Sequence, residues 1–567
     1  MKIFPNRPLR LPRLRTYVPR PDDPKIFWFN SERADVVEEV VRRMMERHQA
    51  EDSVELALND VAYHEIRRLE AAKTEGARHK LEHWRGVLRR VGRMSLEGKH
   101  ETLREIAADM ARDVAGNFDP RVYEFSSRFI PGMLTAAMNP SRMINLMLKG
   151  GGRLDRLVGT EGPIDKIRAI SKRGTMVLVP THSSNLDSIA IAWVLYREGL
   201  SPVVYGAGKN LFTNPIISFF MHNLGAYRVD RRIRAKLYKD ILKAYSSVVI
   251  ERGYHSLFFP GGTRSRSGAI ESRLKLGLAG TGVEAFARNR ARGVDRPVYF
   301  VPATINYALV LEAETLIEDY LKEEGRARYI IEDDEFSRIE RWISFFNKFR
   351  GLESMCVIRF GEPLDPFGNV VDENGDSLAP DGRKIDAGTY VSRRGTASVD
   401  SRRDSAYTRA LGKVLADAYQ RETVIMPTQL VAHVIFRRLV RATPGMDLFA
   451  RLRQRGSVAI PTDEFEADLG KTRDRLVALE AAGRVHVSNF VRTQPPGKIL
   501  SAVLATWDGY HATRTIARIQ SGSLMAEDPN LLLFYQNRLR TFAPDIVGDD
   551  EADQIAAREI AGMEHRR

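Results

Sequence analysis

The sequence predicts an α/β fold in which a largely parallel central sheet is flanked by helical regions on its N-terminal and C-terminal sides. Three observations support this prediction. Between about residues 160 and 365, short apolar runs alternate with helical patterns, which is typical of parallel strands joined by helices. Residues 33–115 are rich in helix formers and carry apolar residues at helical spacing. Helical patterns return after residue 405.

The chain has 567 residues, too many for one ordinary hydrophobic core, so we expect several domains. The pattern changes predict five parts: a basic N-terminal tail (1–32), a helical N-terminal domain (33–155), an α/β domain (156–365), a flexible loop or linker (366–405) and a helical C-terminal domain (406–567). The linker is predicted from a composition rich in Gly, Asp and Ser, which begins PFGNVVDENGDSLAPDGRK.

The formal net charge of +14 favours an anionic partner, such as a nucleic acid, a membrane surface or a phosphorylated substrate. The only cysteine, Cys356, excludes an internal disulfide framework and a cysteine metal cluster, and it fits a reducing compartment. No uninterrupted apolar run reaches the roughly 18 to 20 residues that span a bilayer. The N-terminus also lacks the apolar core of a signal peptide.

Two segments are compatible with lipid contact, and each has a simpler alternative. The N-terminal tail carries six basic residues and no acid before residue 21, as expected for a solvated tail or for an arm on anionic lipid. Residues 129–152 read FIPGMLTAAMNPSRMINLMLKGGG and form either a helix pair packed on the next domain or a surface that dips into lipid.

The stretch 175–196, TMVLVPTHSSNLDSIAIAWVLY, predicts a buried strand, a tight turn and a helix. His182 falls in the turn and Asp187 in the first helical turn. Five residues apart on one continuous helix, the two would be separated by about 140°, so they meet more readily if His182 stays in the loop. Asp187 could then accept a hydrogen bond from one imidazole nitrogen and leave the other as a general base. Alternatively, Asp187 and Ser184 fit a capping box.

Three further segments adjoin predicted strands, and ligands of open α/β sheets bind beyond the C-terminal ends of strands. They are GAYRVDR at 225–231, FFPGGTRSRSG at 258–268 and VPATINY at 301–307. The second combines a flexible Gly turn, hydroxyl groups and two arginines, which suits the binding of a phosphate through bidentate contacts. A surface turn is its alternative.

In this order and at these intervals, HSSNLD, GAYRVDR, FPGGTRSRSG and VPATINY resemble the four sequence blocks of the glycerophospholipid acyltransferase family. The first is the block in which four residues separate a His from an Asp. The RSRSG sequence, the long N-terminal helical region and the C-terminal extension resemble the glycerol-3-phosphate and dihydroxyacetone-phosphate branch. Residues 424–439 (VIMPTQLVAHVIFRRL) and 530–539 (NLLLFYQNRL) also resemble C-terminal elements of the glycerol-3-phosphate branch.

The resemblance implies transfer of a fatty acyl group from acyl-CoA or acyl carrier protein to glycerol 3-phosphate, giving lysophosphatidate for phospholipid synthesis. Dihydroxyacetone phosphate and lysophosphatidate are alternative acceptors, and a non-catalytic lipid-binding scaffold is an alternative function. His182, oriented by Asp187, would be the catalytic base. The implied substrate-binding residues are Arg231, Arg264, Arg266, Lys209, Lys275, Gly262 and Thr263, with Thr304 and Asn306 lining the site.

The resemblance implies no metal ion and no redox cofactor. It implies a peripheral membrane protein on the cytoplasmic face, because the product is a lipid. A competing interpretation concerns residues 456–488, whose spacing resembles the helix–helix–wing of a winged helix and raises DNA binding. This segment is not especially basic, so protein packing is favoured and no nucleic acid is expected among the partners.

The third block departs from the family at one position. The family normally has a Glu where this chain has Gly261, and that acid is usually linked to binding of the acceptor. The second block also departs, because Arg228 stands where an apolar or aromatic residue is common, whereas Arg231 is the expected basic residue. The sequence therefore leaves the acceptor side of the site open.

Overall fold

The structure is a computed structural model that describes residues 17–71, 75–127, 158–212, 215–324, 355–511, 514–519 and 522–563. Its centre is a sheet of seven strands: β1 (Val158–Glu161), β2 (Thr175–Pro180), β3 (Val204–Gly208), β4 (Ala226–Val229), β5 (Ser256–Leu257), β6 (Val298–Tyr307) and β7 (Cys356–Phe360). The strand order is β1-β7-β6-β2-β5-β3-β4. All neighbouring strands are parallel except β6 and β7. The predicted α/β fold with a largely parallel sheet is confirmed.

The apolar runs that predict strands are 176–179, 202–205, 256–259, 298–301 and 355–360. Each contributes to a strand, but the sheet holds two strands more. β1 and β4 each have only four residues, and most of their side chains are partly exposed, so no apolar run marks them. The fourth block also differs from expectation, because β6 continues through Tyr307 and is buried along its whole length. Residues 301–307 therefore form the strand itself.

Helices between the strands cover both faces of this sheet. They are α5 (Ile164–Ser171), α6 (Asp187–Arg197), α7 (Pro215–Asn223), α8 (Lys236–Glu251), α9 (Ala279–Ala291) and α10 (Ala313–Glu324). Successive side chains of a strand point to opposite faces, so β2 contributes to two cores. Val177 and Val179 belong to the core that contains α8 and α9, whereas Met176 and Leu178 belong to the core that contains α6.

The N-terminal helices complete the first of these cores. They are α1 (Phe29–Ala50), α2 (Val54–Ala71), α3 (Glu75–Arg90) and α4 (Leu96–Val114), which precede the sheet helices in the chain. Helix Phe29–Ala50 packs against α8. Between them Arg43 donates from Nη1 and Nη2 to the two oxygens of the buried Glu251 carboxylate, at 2.6 and 2.7 Å. Such a bidentate pair fixes geometry as well as charge, so it orients the N-terminal helices on the sheet.

The C-terminal region completes the second core. Its helices are Ser401–Arg421, Pro427–Ala442, Leu448–Leu452, Thr462–Ala481, Asn489–Thr493, Pro496–Tyr510, Pro529–Gln536 and Glu551–Gly562. The almost fully buried helix Pro427–Ala442 packs against four of the others and shares its core with β2, β6 and β7. The region also contains strands, which the helical prediction omitted: Val424–Ile425 pairs with His486–Val487, and Ala459–Pro461, Ser523–Ala526 and Ile516–Arg518 form an antiparallel sheet.

Residues 456–488 do not contain the helix–helix–wing spacing that was predicted within them. This segment holds the single helix Thr462–Ala481 between two short strands, in place of two helices and a wing. Phe465, Leu469 and Leu476 lie on the buried side of this helix and join the C-terminal core. The segment therefore packs within the protein, as the composition favoured.

Residues 366–405 were predicted to be a flexible linker, but they contain two short β-hairpins and the first turn of helix Ser401–Arg421. The carboxylate of Asp365 accepts hydrogen bonds from the backbone of Phe367 and Asn369, which closes the turn that begins this segment. The Phe367 ring stacks on Tyr390 with centroids 4.5 Å apart. Gly and Asp are as frequent in tight turns as in linkers, so the composition did not distinguish the two. The other domain boundaries stay predictions.

Two segments have a lipid interpretation: residues 1–16 of the predicted N-terminal tail and all of residues 129–152 lie outside the described residues. Their interpretations stay predictions. Within the described ranges, every helix is too short or too polar to cross a lipid bilayer.

Candidate active site

His182 and Asp187 meet at the turn that joins β2 to α6. The Nδ1 atom of His182 lies 2.7 Å from Oδ2 of Asp187, and Asp187 is completely buried. A carboxylate can only accept a hydrogen bond, so Nδ1 carries the proton and Nε2 holds a lone pair. The imidazole itself is 19% exposed, which leaves it reachable by a substrate. This arrangement is the one expected when the His stays in the loop and the Asp begins the helix.

The same Asp187 oxygen also accepts hydrogen bonds from the backbone amides of Ser183 and Ser184, at 2.7 and 3.0 Å. The capping interpretation is therefore compatible with the catalytic one, because one carboxylate oxygen serves the turn and the imidazole together. Ser184 adds a turn contact of its own, since its Oγ accepts from the amide of Leu186 at 3.2 Å. The orientation of the imidazole is thus fixed by the backbone as well as by Asp187.

The third block lies directly against His182. The Phe259 ring stacks on the imidazole, with centroids 4.2 Å apart and planes inclined by 22°. The amide of Ser265 donates to the carbonyl oxygen of His182 at 2.8 Å. The arginine-rich loop is therefore held to the turn that carries the candidate base.

Three of the predicted cations gather around Gly262. Arg231 donates from Nη2 to the Gly262 carbonyl at 2.7 Å. Gly262 has φ of +74°, and a Cβ built there would lie 2.5 Å from Cδ of Lys275, so the turn favours glycine. Burial and then the nearby charge of Arg264 lower the pKa of Arg231. Among the described residues, no carboxylate forms a salt bridge with Arg231 or Lys275, whereas Arg264 lies 3.4 Å from the buried Glu312. The unbalanced positive charge that the cluster offers to an anion therefore comes from Arg231 and Lys275.

The other predicted binding residues lie apart from this cluster. Arg266 pairs with Glu323 of α10 at 2.9 Å, and Lys209 pairs with Asp113 at 3.2 Å, so carboxylates already balance both charges. Thr263 is exposed on the Gly262 turn.

The expectation that Thr304 and Asn306 line the site is wrong. Both are fully buried in β6. Thr304 donates to the Glu422 carbonyl at 2.6 Å, and Asn306 donates to the Val357 carbonyl at 3.2 Å. These side chains join the strand to its neighbours in the core.

Two buried carboxylates next to the turn were missed at the level of sequence. Glu271 accepts a hydrogen bond from the backbone amide of His182 at 2.6 Å. Glu312 accepts from Ser184 Oγ and the Asn185 amide, at 2.9 and 3.0 Å, and lies 3.4 Å from Arg264. Burial raises the pKa of both groups, for Glu271 to about 7. No local pattern marks either residue, because each reaches the turn through the tertiary fold.

Arg538 was also missed and comes from the far C-terminal region. It is buried, and its Nη2 donates to Oδ1 of Asn306 at 2.9 Å and to the Ile305 carbonyl at 3.2 Å. Burial lowers its pKa to about 10, while the charges of Glu271 and Asp187 oppose this shift. A cation from segment 530–539 therefore balances the carboxylates beneath the candidate base. The only signal in the sequence was the resemblance of that segment to a C-terminal element of the family.

Part of the chain is similar to a known protein family. Residues 164–306 match the family model described as Acyltransferase. Over this range the chain is similar to the proteins of that family. The matched range includes the turn with His182 and Asp187, the arginine-rich loop and all but the last residue of β6. The resemblance drawn from the four blocks is thereby confirmed.

Curated relatives of the acyltransferase domain carry one shared name. The chain is 31% identical over 202 residues to a glycerol-3-phosphate acyltransferase of Aeromonas hydrophila. The aligned region covers 35% of this chain and 23% of that relative. The chain is 30% identical over 203 residues to one of Haemophilus ducreyi, with the same coverage, and 29% identical over 225 residues to one of Pseudoalteromonas atlantica, with 39% and 25% covered. The match thus spans about a quarter of the length of these relatives.

Proposed function

We propose that this protein transfers a fatty acyl group from a thioester to the hydroxyl group of glycerol 3-phosphate. The observation that carries the proposal is the hydrogen bond from His182 Nδ1 to Asp187, placed beside a loop with unbalanced positive charge. The pair supplies a base, and the loop supplies a site for the acceptor phosphate. The names of the relatives support glycerol 3-phosphate as the acceptor.

In the proposed reaction, Nε2 of His182 accepts the proton of the acceptor hydroxyl as its oxygen attacks the thioester carbonyl. Asp187 stabilises the imidazolium that forms, and general-base help of this kind contributes about 10²- to 10⁴-fold. The tetrahedral intermediate then expels the thiolate, which recovers the proton from the imidazolium. Atoms and charges balance without a covalent enzyme intermediate, and the single cysteine, Cys356, is buried in β7.

The acceptor phosphate would bind to Arg231, Arg264 and Lys275 around the Gly262 turn. Charge-assisted hydrogen bonds to phosphate are among the stronger polar contacts in proteins. The amide of Ser265 donates a hydrogen bond to the His182 carbonyl, so a phosphate bound to this loop would lie at a fixed distance and orientation from the imidazole. Fixed placement of this kind lowers the entropic part of the barrier.

The donor would be acyl-CoA or acyl carrier protein, and the product would be a lipid. We therefore propose that the protein works as a peripheral protein at the cytoplasmic face of an anionic membrane. Its net charge of +14 supports this attachment. Binding to anionic vesicles should weaken as salt rises from about 0.05 to 0.5 M, because exposed charges are screened. Protein that ignores such vesicles at low salt would contradict peripheral attachment.

The test is an acceptor panel with radiolabelled substrates. Wild type and His182→Ala are incubated with acyl-CoA or acyl carrier protein and with glycerol 3-phosphate, dihydroxyacetone phosphate or lysophosphatidate in parallel. We expect labelled lysophosphatidate from glycerol 3-phosphate with wild type alone. Turnover confined to another acceptor would reassign the acceptor, and absence of turnover with all three would favour a lipid-binding scaffold. A gel-shift assay with duplex DNA tests the alternative that the protein binds nucleic acid, and we expect no shift.

A further inference from the structure

The carboxyl group of Glu271 occupies the space beside Gly261. A Cβ atom built on Gly261 would lie 2.5 Å from Oε2 and 2.6 Å from Cδ of Glu271. Real Cβ atoms do not approach other heavy atoms this closely, so a side chain at 261 and the present position of Glu271 exclude each other. Gly261 is the one position where the third block lacks the acid found in the resembling family.

The loop geometry explains how a residue ten positions downstream returns to this point. The amide of Lys275 donates to the carbonyl of Pro260 at 2.6 Å, which closes the loop at its base. Inside the loop, Ser265 Oγ donates to the Ala269 carbonyl at 2.9 Å. The segment that carries Glu271 is thereby folded back onto residues 260–262.

In this position Glu271 is hydrogen-bonded to the backbone of the turn that carries His182. Its Oε1 accepts the backbone amide of His182 at 2.6 Å. Its Oε2 is buried and makes no well-formed hydrogen bond to a described residue. The positive charge of Arg538 acts on the same carboxyl group. A buried carboxylate with one oxygen on the His182 backbone and a nearby compensating cation is costly to maintain for packing alone.

We propose that Glu271 supplies, from outside the block, the carboxylate that the family carries at the position of Gly261. It is a positioning residue, which holds the His182 turn so that Nε2 faces the acceptor hydroxyl. This role rests on the proposed function. It explains how the chain keeps an acid at this point of the site although the block itself has glycine.

The test relocates the carboxylate within the full-length protein. Glu271→Ala should lower kcat by about 10- to 100-fold, the usual effect of losing a buried hydrogen bond to a charged group, with the KM for acyl-CoA unchanged. Gly261→Glu alone should also lose activity, because two carboxyl groups then compete for one space. The double variant Gly261→Glu/Glu271→Ala should recover to within about threefold of wild type.

A matched double variant, Gly261→Leu/Glu271→Ala, fills the same space without an acid. We expect it to fold with a melting temperature close to that of the Glu double variant and to remain as inactive as Glu271→Ala. Equal recovery of activity in both double variants would show that Glu271 only fills space, which would overturn its proposed role. If both double variants fold and neither recovers activity, the role would also be overturned. In both of these cases, wild-type activity with glycerol 3-phosphate would still support the proposed function. Absence of wild-type turnover with glycerol 3-phosphate would overturn the proposed function and this role together.

Discussion

The Nδ1 atom of His182 lies 2.7 Å from Oδ2 of Asp187 because the two residues belong to different local structures. The His remains in the turn after β2, whereas the Asp is the first residue of α6. The same oxygen also binds the amides of Ser183 and Ser184. The base is therefore oriented before substrate arrives, which is the condition for efficient proton transfer.

Replacing Asp187 by Asn should separate geometry from charge. An amide oxygen in place of Oδ2 can still accept from the imidazole and from both backbone amides, so we expect the turn to persist. The negative charge that stabilises the imidazolium is lost, and kcat should fall by about 10²- to 10⁴-fold. Steady-state kinetics measure this, with melting curves as the check on folding. An Asn variant that is folded and fully active would exclude Asp187 from the mechanism.

Substitutions of Arg264 and Arg266 provide a matched comparison that tests the phosphate site. Both arginines have a carboxylate partner: Arg264 lies 3.4 Å from Glu312, and Arg266 lies 2.9 Å from Glu323. They differ in place, because only Arg264 lies near Arg231 beside the turn. We expect Arg264→Ala to raise the KM for glycerol 3-phosphate by about 10- to 100-fold, through loss of a charge-assisted hydrogen bond. Arg266→Ala should change it by less than about threefold, and neither should alter the KM for acyl-CoA. Equal effects of the two substitutions would contradict this placement of the phosphate.

The buried carboxyl of Glu271 predicts a pH-dependent stability difference. Its pKa is raised from 4.5 to about 7 in the folded protein, so between these pH values the folded state holds this proton more tightly than the unfolded state. This contribution to stability is therefore present at low pH and is lost as pH rises towards 7. Glu271→Gln cannot titrate and should gain about 2–3 kcal/mol relative to wild type between pH 4.5 and 7.5.

Urea unfolding of the two proteins across that pH range measures the difference. The comparison within one pH series isolates the titrating group, because all other ionisable residues are shared. Curves that stay parallel from pH 4.5 to 7.5 would show that the pKa of Glu271 is not raised.

Gly268, in the arginine-rich loop, packs closely against the backbone of Phe534 in the C-terminal region. Its φ is +78°, and a Cβ there would lie 2.1 Å from the carbonyl oxygen of Phe534. Gly268→Ala should therefore destabilise the protein by more than the roughly 1–3 kcal/mol of a strained backbone. Gly277→Ala is the control, because its Cβ would make an ordinary 3.7 Å contact with Lys243. Thermal unfolding compares them, and equal melting temperatures would contradict the close packing of this loop.

The sequence predicted those parts of the structure that depend on local pattern. The apolar run at 176–179 gave β2, and the change from turn to helix gave the contact between His182 and Asp187. Strand β4 was missed because Ala226–Val229 is short and two of its four residues are partly exposed.

The residues that were missed reach the site through the tertiary fold. Glu271 returns to Gly261 only because the loop closes between Pro260 and Lys275. Arg538 arrives from more than 350 residues downstream of His182, through packing of the C-terminal region. Neither position has a spacing relation to the blocks, so no periodicity could have indicated it.

The most direct test of the central claim is acceptor-dependent thiol release by His182→Ala, measured beside Ser183→Ala. Ser183 neighbours the base and contributes only its backbone amide to Asp187, so its substitution controls for disturbance of the turn. If His182 is the general base, the rate with glycerol 3-phosphate and acyl-CoA should fall by at least about 10²-fold in His182→Ala and by less than about threefold in Ser183→Ala. A folded His182→Ala protein that transfers the acyl group at the wild-type rate would contradict the proposed mechanism.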